Sequence, residues 1–462
     1  MRKTMPAAMV VVLMAAPGTP AQRSDAQVRE RVDSLVAQMT LEEKVGQLTQ
    51  AGGISIGGGP GPEEALRKGG AGSVLWVNDT KRFNALQKIA VEESRLKIPV
   101  LYGLDVIHGY HTIFPIPLAM ASSWDPSVPE RPWRRRRCEA SRGRTWAPPT
   151  GCSLAPSTSP PTAPRTAVFE ELIPGPKKPA QPKEQAEAAF QQALETARGA
   201  DLVIAVMGEL ANMSGEAASR SSLELPGRQE ELLQAISALG KPVVLVLMGG
   251  RPLSIPWAAE NGPAILEAWQ PGTEGGHAVA DVLFGDFNPR GKLPATFSRK
   301  VGHSPLYYAR NLTHQPEGSR QYRSRYWDGP TTPLYPFGYG LSYTTFSYAN
   351  LRLGAPQLKL GTSATVSVEL TNTGPLAGDE VAQLYVHQKA GSDSRPSREL
   401  KGFKRVSLKP GETQTLTFPL GPDELRYWST SQKRWLQEAA AFDVWVGDDS
   451  TAALHADLSV VP

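Results

Sequence analysis

The sequence predicts a chain of α/β plus β class, and three observations carry that expectation. Between about residues 24 and 337, amphipathic helical stretches alternate with short, wholly apolar runs, the signature of βα units. From about residue 338 onward, apolar and polar residues instead alternate with period two, with turn signals every ten residues or so, as in a β-sandwich. Residues 131–168 follow neither pattern.

The bulk numbers set bounds. A chain of 462 residues holds roughly two to four domains. With 40% hydrophobic and 20% charged residues it has the composition of an ordinary globular protein. The net charge is +4, and the four consecutive arginines at 134–137 equal it by themselves. Outside that run the charges nearly cancel, so no nucleic-acid footprint is expected.

The N-terminus places Arg2 and Lys3 before a short apolar run and then small and turn-forming residues up to Ala21. Residues 1–21 therefore predict a secretory signal peptide and export, to a periplasm or beyond the cell. The competing reading is a buried first helix. The run is too short to span a bilayer, and no insertion is expected after cleavage.

Residues 24–130 come next. Val32, Leu35, Val36, Met39, Leu41, Val45 and Leu48 trace helical spacing, and Thr40 with Glu43 forms a capping box that starts a second helix. AGSVLWVN predicts a buried strand over residues 73–77, FNALQKIAVEESRL an amphipathic helix, and IPVLYGLDVIHG a strand running into a loop. Functional side chains of such folds sit just past the strand C-termini, where Asp105 lies.

Residues 169–337 repeat the theme. EQAEAAFQQALETARGADLVIAVMGE predicts a helix and a buried strand over 202–207. RQEELLQAISALG predicts a helix stopped at Gly240, and KPVVLVLMGGRPL a second buried strand. AILEAWQPGTEGGHAVADVLFGD supplies a third strand, a Gly-rich turn and a helix. A parallel sheet with ligands at its strand ends is expected. The spacing of Gly272, Gly275 and Gly276 fits neither common phosphate motif, so a tight turn into a helix is expected there. In residues 338–462 the period-two runs are TSATVSVELTNTG, DEVAQLYVHQ, RELKGFKRVSL, TQTLTFPL and FDVWVGDD.

Several of these stretches resemble one family: MTLEEKVGQL; LKIPVLYGLDVIHGYHTIFPIPLAMASSWDP; GKPVVLVLMGGRPL with AILEAWQPGTEGGHAVADVLFGDFNPRGKLPATF; and YPFGYGLSYTTF with RELKGFKRVSLKPGETQ. They are similar to the multidomain glycoside hydrolase family 3 β-glucosidases. The resemblance implies a (β/α)8 barrel, here partial, an α/β sandwich with a parallel sheet, and a C-terminal fibronectin type III-like β-sandwich. It implies hydrolysis of terminal non-reducing β-D-glucosyl residues of a β-glucoside or oligosaccharide by a retaining mechanism with two carboxyl groups and no cofactor. A β-xylosidase-type relative or a non-catalytic carbohydrate-binding remnant are the other readings.

Carried over residue by residue, the resemblance makes Asp105, in GLDVIHG, a contact to sugar hydroxyls. It makes Glu216, in MSGEAASR, the general acid/base, with Glu209 as its rival by position. His108 and His111 lie near Asp105, but no third ligand of suitable type follows them, so no metal is expected.

The departures are as informative. The family nucleophile is an aspartate in a Ser-Asp-aromatic or Ser-Asp-His context, and Ser-Asp occurs here only at Ser24–Asp25 and Ser392–Asp393. The family's Lys-His pair is absent. A complete barrel takes at least ~200 residues, about twice what residues 24–130 offer. Residues 131–168 are rich in Arg, Pro, Ala, Ser and Thr and hold both cysteines, Cys138 and Cys152. That composition fits wrong-frame reading of a GC-rich gene joined to a large internal deletion; a natural disordered linker has a similar composition. The expected consequence is an inactive chain, its nucleophile-bearing half barrel missing. The exact sugar and the oligomeric state stay open.

Overall fold

The computed structural model describes residues 24–52, 61–77, 79–104, 109, 112–128, 183–210, 212–215, 219–311 and 326–462. The expected signal peptide and the aberrant stretch 131–168 lie outside the described residues. The chain divides into two compact units, Met1–Tyr110 and His111–Pro462.

In the first unit, helix α1 (Asp25–Gln38) is capped by Ser24, and α2 (Leu41–Gln47) by the capping box foreseen at Thr40. Thr40 N donates to Glu43 Oε2 at 3.0 Å, and Glu43 N to Thr40 Oγ1 at 3.2 Å. Glu43 also accepts from Arg95 Nε at 2.9 Å, and the Arg95 hydrogen bond holds its carboxyl down to about 2. Strand β1 (Gln50–Gly52), helix α3 (Pro62–Arg67), β2 (Ser73–Leu75), helix α4 (Thr80–Lys88), continued by a π-helical turn at Ile89–Glu93, and β3 (Leu101–Gly103) follow among the described residues. The strands form a parallel sheet in the order β1-β2-β3, a half-barrel sheet laid down one βα unit after another. Leu66, Val74, Val77, Leu86, Ala90 and Val100 pack between sheet and helices. The apolar stripe of α1, at Val28, Val32 and Val36, lies exposed.

The second unit begins with the short helix α5 (Pro117–Ala121) and then holds two layers of structure. Helix α6 (Lys183–Arg198), strand β4 (Val203–Gly208), helix α7 (Gln229–Ser237), β5 (Val243–Met248), helix α8 (Pro256–Asn261), β6 (Ala264–Glu267) and helix α9 (Gly275–Phe284) alternate, all but the short α8 as the sequence predicts. Their sheet is parallel, in the order β4-β5-β6. Its helix-facing side chains, Ala205, Met207, Leu245 and Leu247, pack on Phe190, Leu194, Leu232, Leu233 and Ile236. Gly240 takes a left-handed φ of 70° after α7, the stop that a Cβ would resist.

The sandwich follows. One sheet runs β11 (Glu399–Leu408), β10 (Gly378–Gln388), β15 (Ala440–Gly447), β16 (Leu454–Val461), β8 (Gln357–Lys359); the other runs β12 (Thr413–Leu420), β9 (Ala364–Asn372), β7 (Phe346–Leu353). Alternate residues of each strand enter one core: Val366, Val368 and Leu370 from β9 meet Leu416, Phe418 and Leu420 from β12 and Phe442, Val444 and Val446 from β15. The α/β and sandwich portions are joined by a buried ion pair, Lys292 Nζ to Glu380 Oε1 at 2.9 Å. Trp124 packs at the same junction, its Nε1 donating to Lys292 O at 3.0 Å and its ring edge-on to Phe403.

Candidate functional site

Parallel in-register pairing sets the site. Gly208 lies opposite Met248, and Leu247 opposite Glu267, so the residues just past β4, β5 and β6 share one sheet edge. This C-terminal edge is where open parallel sheets carry their ligands.

After β4 the chain must turn close to β5. Gly208 has φ of 138°, and a Cβ there would run into the Met248 carbonyl. The buried amide of Gln229 finishes the strand, Nε2 donating to Gly208 O at 3.0 Å and Oε1 accepting from Gly208 N at 2.7 Å. Glu209 follows, its side chain 0% exposed. Its Oε1 accepts from Arg220 Nη1 at 3.1 Å and from Arg251 Nη2, and its Oε2 from Arg251 Nε at 3.4 Å. The two arginines are tied in turn: Arg251 Nη1 donates to Arg220 O at 2.8 Å, and Arg220 Nη2 to Glu224 O at 2.8 Å. The result is a clamp at the foot of the loop that follows β4.

The clamp bears on the acid/base assignment. Both Glu209 oxygens are taken by guanidinium donors and the side chain is closed to solvent, so Glu209 has no route to a glycosidic oxygen. Glu216, on the loop that the clamp spans, and Asp105 both lie outside the described residues, as do His108 and His111. Of the candidate residues, the described structure places Glu209 alone.

At the end of β6 stands a second carboxyl. Glu267 Oε1 accepts from Trp269 N at 2.9 Å, while Oε2 is enclosed without a hydrogen-bond partner. Burial pushes its carboxyl up to about 8. Trp269 is itself unusual, with φ of 54°; its Nε1 donates to Ser122 Oγ at 2.9 Å, and its carbonyl accepts from Gly249 N at 3.2 Å. The PGTEGG stretch is the turn into a helix that its spacing predicts: Gly272 has φ of 79° and α9 begins at Gly275.

Arg220, Arg251 and Glu267 escaped the sequence reading. Their one signal was place, since Arg251 and Glu267 sit at strand C-termini. Both Ser-Asp pairs have structural positions. Ser24 caps α1, and Asp393 Oδ1 accepts from Ser431 Oγ at 3.2 Å within the sandwich. Among the described residues, Asp443, His455 and Asp457 have metal-like spacing, but Lys389 Nζ reaches Asp443 and Asp457 at 2.9 Å each and supplies the positive charge.

Two family models match this architecture. Residues 9–343 match the glycosyl hydrolase family 3 C-terminal domain, and residues 380–450 a fibronectin type III-like domain. The chain belongs to glycosyl hydrolase family 3. A periplasmic β-glucosidase of Salmonella typhimurium is 46% identical over 267 residues, 57% of this chain and 35% of that protein. A β-xylosidase of Formosa agariphila is likewise 46% identical, over 57% of this chain and 36% of its own length. Among solved structures, β-glucosidase from Listeria innocua in complex with glucose superposes with a TM-score of 0.57 at 37% identity, over 60% of this chain and 39% of that one. A match to the same organism's enzyme in complex with isofagomine covers 94% of this chain and 99% of the other, with a TM-score of 0.73; at 21% identity it shows the fold alone. The chain spans about a third of the length of the curated relatives it matches.

Proposed function

We propose that this family 3 chain is a β-glucosidase-type glycoside hydrolase whose double-displacement reaction is incomplete. In that reaction one carboxylate attacks the anomeric carbon and a second carboxyl protonates the leaving oxygen, then deprotonates the incoming water. Glu216 is the proposed acid/base and Asp105 the proposed contact to the sugar hydroxyls. The observation that carries this reading is the clamp on Glu209, which commits that rival to Arg220 and Arg251 and leaves Glu216 as the loop's acid. The nucleophile has no counterpart: Ser24–Asp25 is a helix start and Ser392–Asp393 belongs to the sandwich. The three-stranded parallel sheet of the first unit supports the loss of the barrel half that would present it.

The signal peptide expected at residues 1–21 supports action in a periplasm or outside the cell, as does the 46% identity to a periplasmic β-glucosidase. The substrate is a β-glucoside or short oligosaccharide. A β-xyloside is the second reading, favoured by the equal identity to the Formosa β-xylosidase.

An assay with an aryl β-D-glucoside tests the proposal. Turnover at the roughly 10 s⁻¹ typical of enzymes would overturn it; the expected rate is at or near the uncatalysed background. Calorimetry with cellobiose then separates a chain that binds sugar without turnover from one that does not bind.

A further inference from the structure

The chain contains a single Asn-Gly pair, Asn261–Gly262. Asn261 is the last residue of helix α8, and Gly262 follows it in the left-handed region with φ of 83°. Both residues are exposed, and a Cβ on Gly262 would meet nothing within 4 Å.

Asparagine is chemically unstable before glycine. The backbone nitrogen of the glycine can attack the asparagine side-chain carbonyl carbon, and no β-carbon crowds its approach. A folded chain allows this where that N–H is free, the amide is open to water and the backbone can close a five-membered ring. The structure meets the first condition. Gly262 N makes no capping bond to α8 and has no backbone acceptor among the described residues, whereas the residues that end α5, α7 and α9 all donate such a bond. The second condition is met by the exposed carboxamide. Its hydrogen bond, Nδ2 donating to Trp257 O at 2.8 Å, holds the leaving nitrogen and leaves the carbon under attack open. Ring closure requires Asn261 to leave the helical ψ, and the terminal residue of a helix does so at least cost because helix ends fray.

Other asparagines fail one condition or more. Asn288 precedes Pro289, whose nitrogen carries no proton. Asn372 is 0% exposed, its Nδ2 donating to Leu376 O at 2.8 Å and Leu408 O at 3.0 Å. Asn350 precedes the branched Leu351, and its Nδ2 donates to Glu369 Oε2 at 2.7 Å.

We propose that Asn261 is a site of spontaneous modification, its amide converted to an isoaspartyl or aspartyl carboxylate. Gly262 N gives its proton to solvent base and bonds to Asn261 Cγ. The Cγ–Nδ2 bond breaks, and the nitrogen leaves as ammonia. Water then opens the succinimide: cleavage at the backbone carbonyl yields isoaspartate, and cleavage at Cγ yields aspartate. The balance is water taken up and ammonia released, with no electron transferred. The product carries a new negative charge at the C-terminal end of α8, beside the exposed Glu260, where the helix dipole disfavours an anion.

The full chain is incubated at pH 8 and 37 °C, and its proteolytic peptides are followed by mass. Isoaspartate is counted by methyl transfer from labelled S-adenosylmethionine with an isoaspartyl O-methyltransferase. Asn261 is expected to convert about tenfold faster than Asn350 or Asn372, a barrier about 1.4 kcal/mol lower, with isoaspartate in excess and an acidic variant growing in step on isoelectric focusing. Equal conversion at the three asparagines overturns the proposal. So does an Asn261 that stays intact in the folded chain while converting in guanidinium chloride, because α8 then protects it. Asn261→Gln, which would need a slower six-membered closure, should abolish the acidic variant and the methyl-accepting signal; their persistence places the modification elsewhere and overturns the proposal. If that variant fails to fold, the peptide masses of the unmutated chain decide.

Discussion

Replacing Glu267 with glutamine should make the second unit more stable, and increasingly so as pH rises. In the folded chain the carboxyl is pushed up from 4.5 to about 8 by burial, with one oxygen enclosed and unpartnered. Below pH 4.5 the group is protonated whether the chain is folded or not, and contributes nothing that varies with pH. Between 4.5 and 8 the unfolded chain releases a proton that the folded chain keeps. Stability therefore falls by about 1.4 kcal/mol per pH unit, and levels off above 8. At pH 7 the accumulated loss is about 3 kcal/mol by this linkage, large beside a typical net stability of ~5–15 kcal/mol. Glutamine cannot ionise in either state, yet it keeps an oxygen for the Trp269 N–H. The enclosed position is unpartnered in both proteins, so that cost largely cancels. Guanidinium chloride unfolding of wild type and Glu267→Gln, followed by tryptophan fluorescence at pH 5, 6, 7 and 8, reads the effect. The stability difference should grow by about 4 kcal/mol across that range. A difference that stays flat with pH would show that the carboxyl reaches solvent, and would refute the reasoning.

Three further outcomes follow from other contacts. Glu209→Ala leaves two mostly buried guanidinium groups without their shared anion and should cost about 3–5 kcal/mol, with faster backbone hydrogen exchange over residues 219–224. Lys292→Met strands the buried Glu380 carboxylate and should cost a similar ~3–5 kcal/mol in denaturant unfolding; adding Glu380→Gln should restore most of it. Val32→Lys, on the exposed stripe of α1, should change stability by less than about 0.5 kcal/mol while lowering self-association in light scattering.

How legible these features were depends on the range of the interaction that makes them. The Thr40 cap, the Gly240 stop and the turn at Gly272 are decided within a few residues, and each stands where the sequence predicts it. Strands β4, β5 and β6 were visible as apolar runs, as parallel-sheet strands usually are, although Val206 of β4 lies exposed. Among the strands missed, β16 (LHADLSVV) has a regular alternation, while others are weak or short in pattern. In β7, FSYANLRL carries a register irregularity between Ala349 and Arg352 that breaks the period-two reading. Strands β13 (Tyr427–Ser429) and β14 (Arg434–Leu436) are three residues each, too short for periodicity to register.

The candidate site shows the same limit in sharper form. Glu209 and Arg251 are 42 positions apart, and only the pairing of β4 with β5 brings their side chains together. Nothing in the local sequence separates a glutamate that will be neutralised by two arginines from one free to donate a proton, because the distinction is made by the neighbouring strand. Glu267 presents the inverse case. It went unremarked in the sequence as the polar end of a strand, yet the fold encloses one of its oxygens and offers it no partner. Position at a strand C-terminus marked Glu209 as a candidate, while Glu267 went unmarked. Which one is held by partners and which is left without became decidable only once the register of three strands was known, and the proposal of Glu216 over Glu209 draws on the first of these, the hold of Arg220 and Arg251 on Glu209.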